Sequence, residues 1–314
     1  MATTALQEPL VELPSEHAPV HSQTIKSYMH FLARNKLYET EKPYGVRYKP
    51  DEDIPQTNII LEKHTISVDS IRNGDTFRLN ECGFERIDFP SKMSYDDFWN
   101  HETIQAVYLG EVKRTLKKRL GAKFVHILDY TVRKRDRTFP VSTGEEYDYD
   151  QPTSMAHIDF TVREGERMIK VLFGDRADEV LKGHWQIINL WKPIKGPLND
   201  WPLAICDSRT VNWQTDITPG DVVFDDFVTE NIQVLYNSAH KWYYLPNHDV
   251  SEALIFKSAD SKHSIAPAAP HAGCPNPNTS PGECRESLDC RCLVFFADLP
   301  KYPPIVGDVF KPHI

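Results

Sequence analysis

The sequence predicts a mainly β fold, a sandwich or barrel with flanking helices, on three observations. From Trp185 onward, short apolar runs recur between clusters of Pro, Asn, Gly and Asp. No helical pattern alternates with those runs, which argues against a parallel α/β sheet. One long helix with a single apolar face precedes them, at residues 95–120. At 314 residues the chain can build one large domain or two small ones.

In chain order, residues 1–55 read as an arm, because they are polar and interrupted by Pro9, Pro14, Pro19, Pro43, Pro50 and Pro55. Within the arm, residues 22–34 read as a short helix. Residues 57–64 and 75–80 read as strands. In the long helix Ile104, Tyr108, Val112, Leu116 and Leu120 recur at four-residue steps, which makes one apolar stripe. Ser94 is placed to cap its start and Gly121 to end it. Its basic run, Lys113, Arg114, Lys117, Lys118 and Arg119, reads as a solvated face. A strand is expected at 123–133, then an acidic, aromatic loop at 145–150 closed by Pro152. A strand at 155–163 carries His157-Ile158-Asp159, and one or two short helices follow at 164–183. The remaining strands are expected at 185–191, 203–207, 232–236, 241–245, 253–257 and 287–296. The domain division is thus an arm, 1–55, and a single domain with helical insertions, 56–314.

Composition excludes several classes of function. The net charge is −9, with 45 acidic and 36 basic residues, so a polyanion-coating role is not expected. No apolar run reaches the length of a membrane span, and the first residues have neither a basic start nor an apolar h-region. The expected location is the cytoplasm. No GxGxxG, P-loop or GxSxG pattern is present.

The chemistry-bearing residues are few. His157 and Asp159 are two apart on a strand and therefore share a face. Imidazole plus carboxylate is two-thirds of the facial triad that holds non-heme Fe(II). A third ligand should be a histidine on a later strand, and His271 and His240 compete for that role. His271 is favoured, because Arg285-Glu286-Ser287 follows it at short range. An Arg-x-Ser on a strand sends a guanidinium and a hydroxyl to one face, which suits a dicarboxylate such as 2-oxoglutarate. Arg291 competes with Arg285 as the anchor, since an even spacing of six gives both the same face. Asn189 and Tyr130 are further candidates for contact with the bound cosubstrate. Arg133 and Lys192 are available cations, and Trp191 reads as core. Four of six cysteines, Cys274, Cys284, Cys290 and Cys292, crowd near the end of the chain. Their spacings do not make paired CxxC knuckles, so buried thiols are favoured over structural zinc.

Together with 188–193, 202–207 and 240–244, these residues resemble the fungal AsaB-type hydroxylase/desaturase family. That family takes in gibberellin desaturases and aziridine-forming TqaL-type enzymes, and is related to CmcJ-like proteins. The resemblance runs from about Val125 to Phe296. Ala272-Gly273-Cys274 and the pair Cys290 and Cys292 depart from the family pattern. The resemblance implies a double-stranded β-helix, a jelly roll of the cupin kind. It also implies Fe(II), 2-oxoglutarate and O2 as reaction partners, and a role in secondary metabolism. The implied reaction is hydroxylation, desaturation or cyclisation of a small molecule, with amino acids among the candidates. The rival readings are a jelly-roll binding module without catalysis and a zinc-stabilised interaction protein.

Overall fold

Strict alternation of buried and exposed side chains begins at Ile25, where Ile25, Ser27, Met29 and Phe31 turn inward. Period two is the signature of a strand, and β1 (Ile25–Leu32) replaces the helix expected there. The structure, a computed structural model, describes residues 24–299 except 51–52, 73–75, 141–146, 263, 265 and 280–281. Of the arm, residues 1–23 therefore lie outside the described residues, as do Asp75, Glu145 and Glu146 of two other expected elements.

Thirteen more strands follow: β2 (Tyr44–Val46), β3 (Leu61–Ser70), β4 (Phe84–Asp88), β5 (Phe124–Lys134), β6 (His157–Ile158), β7 (Trp185–Pro193), β8 (Leu203–Cys206), β9 (Ile217–Val223), β10 (Val228–Val234), β11 (Trp242–Tyr244), β12 (Glu252–Asp260), β13 (His271–Gly273) and β14 (Glu286–Phe295). They form a nine-stranded sheet in the order β1-β3-β11-β8-β13-β6-β10-β9-β2 and a five-stranded sheet in the order β4-β12-β7-β14-β5. The fold is a jelly roll, in which two sheets of mostly antiparallel strands face each other. β1 and β2 belong to the larger sheet, so the described part of the expected arm is built into the fold.

Several elements differ from expectation. The strand expected at 57–64 begins at Leu61 and runs on to Ser70. Residues Leu79–Cys82 are a helical turn where a strand was expected. The strand expected at 155–163 shrinks to β6, because Thr161 caps a helix, Val162–Phe173, by accepting from the Glu164 N–H. β4, β9 and β13 have no clear signal in the sequence. The last two are short or carry Pro and Gly, which mask an alternating pattern.

The long helix is segmented. A 3₁₀ turn, Asp96–Trp99, precedes His101–Thr103, a π segment at Ile104–Tyr108 and the α-helix Leu109–Leu120. In a straight α-helix a four-residue repeat drifts by roughly 40° per step. The wider π turn rewinds that drift, so Ile104, Tyr108, Val112 and Leu116 all stay buried. Asn100, not Ser94, is the cap, accepting from the Thr103 N–H at 2.9 Å. Ser94 instead donates its N–H and hydroxyl to Asp97. Gly121, at φ +67°, ends the helix as expected. The basic run is exposed.

This helix packs its stripe on the outer face of the smaller sheet, against Ile188, Leu190, Ile255, Leu288 and Cys290. The helix Val162–Phe173 packs Met168, Ile169 and Leu172 with Trp185 and Phe295. β7 and β12 are consequently buried at all nine positions, covered on one face by helices and on the other by the larger sheet. Truncating a side chain in that layer, such as Leu116→Ala, costs about 2–5 kcal/mol.

Candidate metal centre

His157 and Asp159 flank the end of β6, and β13 lies beside β6 with His271 directly opposite His157. That single register pair brings the early and late ligand candidates together. The donor atoms of His157, Asp159 and His271 all lie within 4.8 Å of one another, the one such group of His, Cys, Asp or Glu among the described residues. His157 Nε2 is 3.4 Å from Asp159 Oδ1, and His271 Nε2 is 3.8 Å from Asp159 Oδ2. Bonds of ~2.1 Å at right angles put neighbouring donors about 3 Å apart, so the set fits one face of an octahedral ion.

The second ring nitrogens support the same fit. His157 Nδ1 donates to the Met155 carbonyl at 2.8 Å, and His271 Nδ1 to the Ala269 carbonyl at 3.2 Å. Each bond selects the tautomer that leaves Nε2 as a lone pair aimed at Asp159. Burial, and then the neighbouring His157, lower the His271 imidazole to about 4, so it is neutral at pH 7. Burial by itself would raise Asp159, but His157, His271 and Arg291 outweigh it and hold the carboxylate well below its usual range.

Asp159 is also held from behind. Asn189 donates to its Oδ2 at 2.5 Å, and Asn189 Oδ1 accepts from Ser258 at 2.8 Å. The amide of Asn189, a candidate for cosubstrate contact, is engaged on both sides by Asp159 and Ser258. Arg291 closes its fork on Asp129, with Nε 2.6 Å from Oδ1, and lies 4.0 Å from Asp159 Oδ1. The fork proposed as a carboxylate anchor is thus paired with a carboxylate of this chain. Tyr130 pairs with Cys290 on the outer face, and its hydroxyl meets His101 Nδ1. It does not reach the cavity. His240 lies 3.0 Å from the buried Asp216 and takes no part in the cluster.

Between the sheets the cluster opens onto a narrow cavity of about 390 Å³, counting its mouth. The smaller sheet lines it with Arg133, Trp191, Phe256, Arg285 and Asp289. The larger sheet adds Leu203 and Gly273 beside the two histidines. Arg285 is buried, 3% exposed, and its guanidinium lies 4.8 Å above the Trp191 ring. Its Nε donates to Ser287 Oγ at 3.0 Å and one terminal nitrogen to the Trp201 carbonyl at 3.0 Å. Trp201 sits at φ +44° to present that carbonyl. A bulky residue in that region costs about 1–3 kcal/mol and is held only by its surroundings. Burial, and then Arg133, lower the Arg285 guanidinium to about 9, which leaves it protonated at pH 7. A Cβ on Gly273 would stand 3.2 Å from the same guanidinium, so a larger residue would press on it.

Asp289 was not singled out in the sequence. It follows Arg285 and Ser287 on the same face of β14, and its Oδ1 is buried without a hydrogen-bond partner among the described residues. Burial, then the charge of Asp159, raise its carboxyl. The i, i+2, i+4 spacing from Arg285 was the available signal. Lys192 is buried over Phe89 and Phe98, away from the cavity. The cysteines do not converge. Cys290 and Cys292 lie 3.9 Å apart under the long helix, and Cys274 belongs to a different core cluster.

Comparison with known proteins places the chain among iron and 2-oxoglutarate enzymes. A family model described as an oxidoreductase/YMDC permease-like domain matches residues 29–295. An alpha-ketoglutarate-dependent dioxygenase of Talaromyces stipitatus is 28% identical over 82% of this chain and 98% of its own. A hydroxylase/desaturase of Cercospora beticola is 30% identical over 76% of this chain and 78% of its own. Among solved structures, an iron and alpha-ketoglutarate-dependent endoperoxidase superposes with a TM-score of 0.75 at 25% identity, covering 88% of this chain and 99% of that one.

Proposed function

The chain belongs to the oxidoreductase/YMDC permease-like domain family, among the fungal Fe(II)/2-oxoglutarate-dependent hydroxylase/desaturases of secondary metabolism, and from that premise we propose how its residues divide the work. The enzyme uses Fe(II) and 2-oxoglutarate and acts with O2 on a small molecule. His157, Asp159 and His271 hold the metal, through Nε2, a carboxylate oxygen and Nε2. The observation that carries this is the pair of Nδ1–H bonds to backbone carbonyls, which turns both Nε2 atoms toward Asp159. Bound iron supplies the activation of O2, at the expense of 2-oxoglutarate, that removes hydrogen from the substrate.

The rest is positioning. Arg285 offers its remaining N–H groups, and Ser287 its hydroxyl, to the distal carboxylate of 2-oxoglutarate. Asn189 and the Arg291–Asp129 pair keep Asp159 aimed at the metal. Phe256, 4.6 Å from the His271 ring, and Leu203 form an apolar wall that limits water at the centre. The narrow cavity and the net charge of −9 favour a small polar substrate, amino acids included, over a nucleic acid or a membrane surface.

The test is His271→Ala, expected to abolish Fe(II) binding and succinate release from 2-oxoglutarate, while His240→Ala keeps both. Retention of iron by His271→Ala with loss in His240→Ala would reverse the assignment. Coupling of 2-oxoglutarate consumption to amino acids against a panel of polycyclic fungal metabolites separates the substrate classes. A response only to bulky polycyclic compounds sinks the polar-substrate reading. Among the described residues no helix is long and apolar enough to cross a membrane. All six cysteines are free, as in a reducing compartment, which supports a cytoplasmic location. Recovery of the tagged chain in a membrane or extracellular fraction would overturn that.

A further inference from the structure

Two guanidiniums face the cavity, and among the described residues neither has a carboxylate partner within 4 Å. Arg285 donates to Ser287 and to the Trp201 carbonyl. Arg133 donates to the Gln151 carbonyl at 2.9 Å. All three acceptors are neutral. Arg133 stands directly opposite Ser287 in the β5–β14 ladder, and directly opposed residues share a face. Arg133 and Arg285 both line the cavity, and Ser287, which accepts from Arg285 and stands opposite Arg133, lies four residues along β14 from Arg291.

Like charges lining a narrow cavity repel, and Asp289, the carboxylate on the same strand face, makes no hydrogen bond to either guanidinium among the described residues, so an anion that bonds both is stabilising there. The other cations near β14 are already neutralised or removed, Arg291 by Asp129 and Lys192 by its distance from the cavity. We propose that Arg133 is the second arm of a two-guanidinium clamp on the distal carboxylate of 2-oxoglutarate. The clamp rests on the reading of Arg285 as the first arm. A carboxylate has about four lone-pair sites, enough to accept from both guanidiniums and from the Ser287 hydroxyl. Arms on two neighbouring strands hold that carboxylate from two sides. The clamp thereby selects for diacids over 2-oxo acids that lack the second carboxylate.

The experiment is a calorimetric titration of the full chain with Mn(II) in the metal site, using 2-oxoglutarate and 2-oxovalerate as probes. The second probe has the same 2-oxo acid end but no distal carboxylate. Arg133→Gln is expected to weaken 2-oxoglutarate binding by about tenfold or more and to leave 2-oxovalerate unchanged, since a charge-assisted contact is lost only for the diacid. Arg133→Lys keeps the charge but not the fork and should fall between, and it carries the test if the Gln variant loses its fold. Arg285→Gln is measured beside them. If it weakens 2-oxoglutarate binding while both Arg133 variants match the parent, the second arm is wrong and the first stands. If neither position matters for 2-oxoglutarate, the reading of Arg285 fails too. Equal losses for both probes would make Arg133 a structural residue and overturn the proposal.

Discussion

Arg285, just ahead of β14, and Arg291, within it, stand six residues apart with the same parity and the same side chain, and the structure gives them opposite settings. Arg291 lies across from Asp129 in the ladder, and its fork is filled by that carboxylate. At the other end, the residue across from Ser287 is Arg133, a cation, so Arg285 meets only a hydroxyl and a carbonyl and keeps donors for a ligand. The face a residue points to follows from strand parity. Whether its charge is spent on structure or left for a ligand depends on which residue a neighbouring strand places opposite. One strand thus carries an arginine paired with Asp129 beside Asp159 and, four residues from it, Ser287 bonded to an arginine that has no carboxylate partner among the described residues.

Exchanging the roles gives the largest expected effects. Arg285→Ala should raise the 2-oxoglutarate needed for half-saturation by roughly 10- to 100-fold and leave Fe(II) binding nearly intact, as loss of a charged contact predicts. Arg291→Ala should do the reverse, weakening Fe(II) binding by about 10- to 100-fold through a loosened Asp159 with little change in the 2-oxoglutarate requirement. Parallel titrations of metal and cosubstrate decide the matter, and matching profiles for the two variants would break the comparison. Asp129→Asn removes the nearer of the two carboxylates paired with the Arg291 guanidinium. It should lower stability by roughly 1–3 kcal/mol in denaturant titrations, the upper range being curbed by partial solvent access at that pair.

The Arg285 end also rests on an acid-sensitive support. His248 is buried against Trp191, the ring beneath Arg285, at a centroid distance of 5.3 Å. Burial lowers its imidazole to about 4. The unfolded chain therefore takes up this proton first as pH falls, and stability drops between about pH 6.5 and 4 by up to roughly 3 kcal/mol. His248→Gln should flatten that part of the stability–pH curve relative to the parent, and an unchanged slope would remove His248 from the account. The smallest effect belongs to the exposed helix face. Lys117→Ala should shift stability by no more than about 0.5 kcal/mol and leave 2-oxoglutarate turnover unaltered.

Much of the β framework was legible because its strands carry their signal locally. β7, β12 and β14 are apolar runs bounded by turn residues, and all three form close to where those runs lie. β1 reads as a helix in the sequence, because Ser27 interrupts its inward side and Tyr28 places a large ring on the outward one. β6 was overextended because Thr161 makes an N-cap, and a cap depends on the chain that follows it. β13 is three residues long and is recognisable only by the strands that flank it.

The sequence by itself determined the ligand types, the shared face of His157 and Asp159, the parity of Arg285, Ser287 and Arg291, and the apolar stripe of the long helix. Each follows from spacing, which backbone geometry converts directly into direction. Tertiary structure alone decided between equivalent candidates. His271 joins the cluster because β13 pairs with β6, whereas His240 is drawn to Asp216, 24 residues away. Arg291 is closed by Asp129, 162 residues away, and Arg285 is left open by Arg133. Asn189 and Asp289 gain their meaning only from Asp159 and from the cavity. Those choices hang on which distant strands lie side by side, and strand pairing is set by the burial of the whole core, which no short stretch of sequence records.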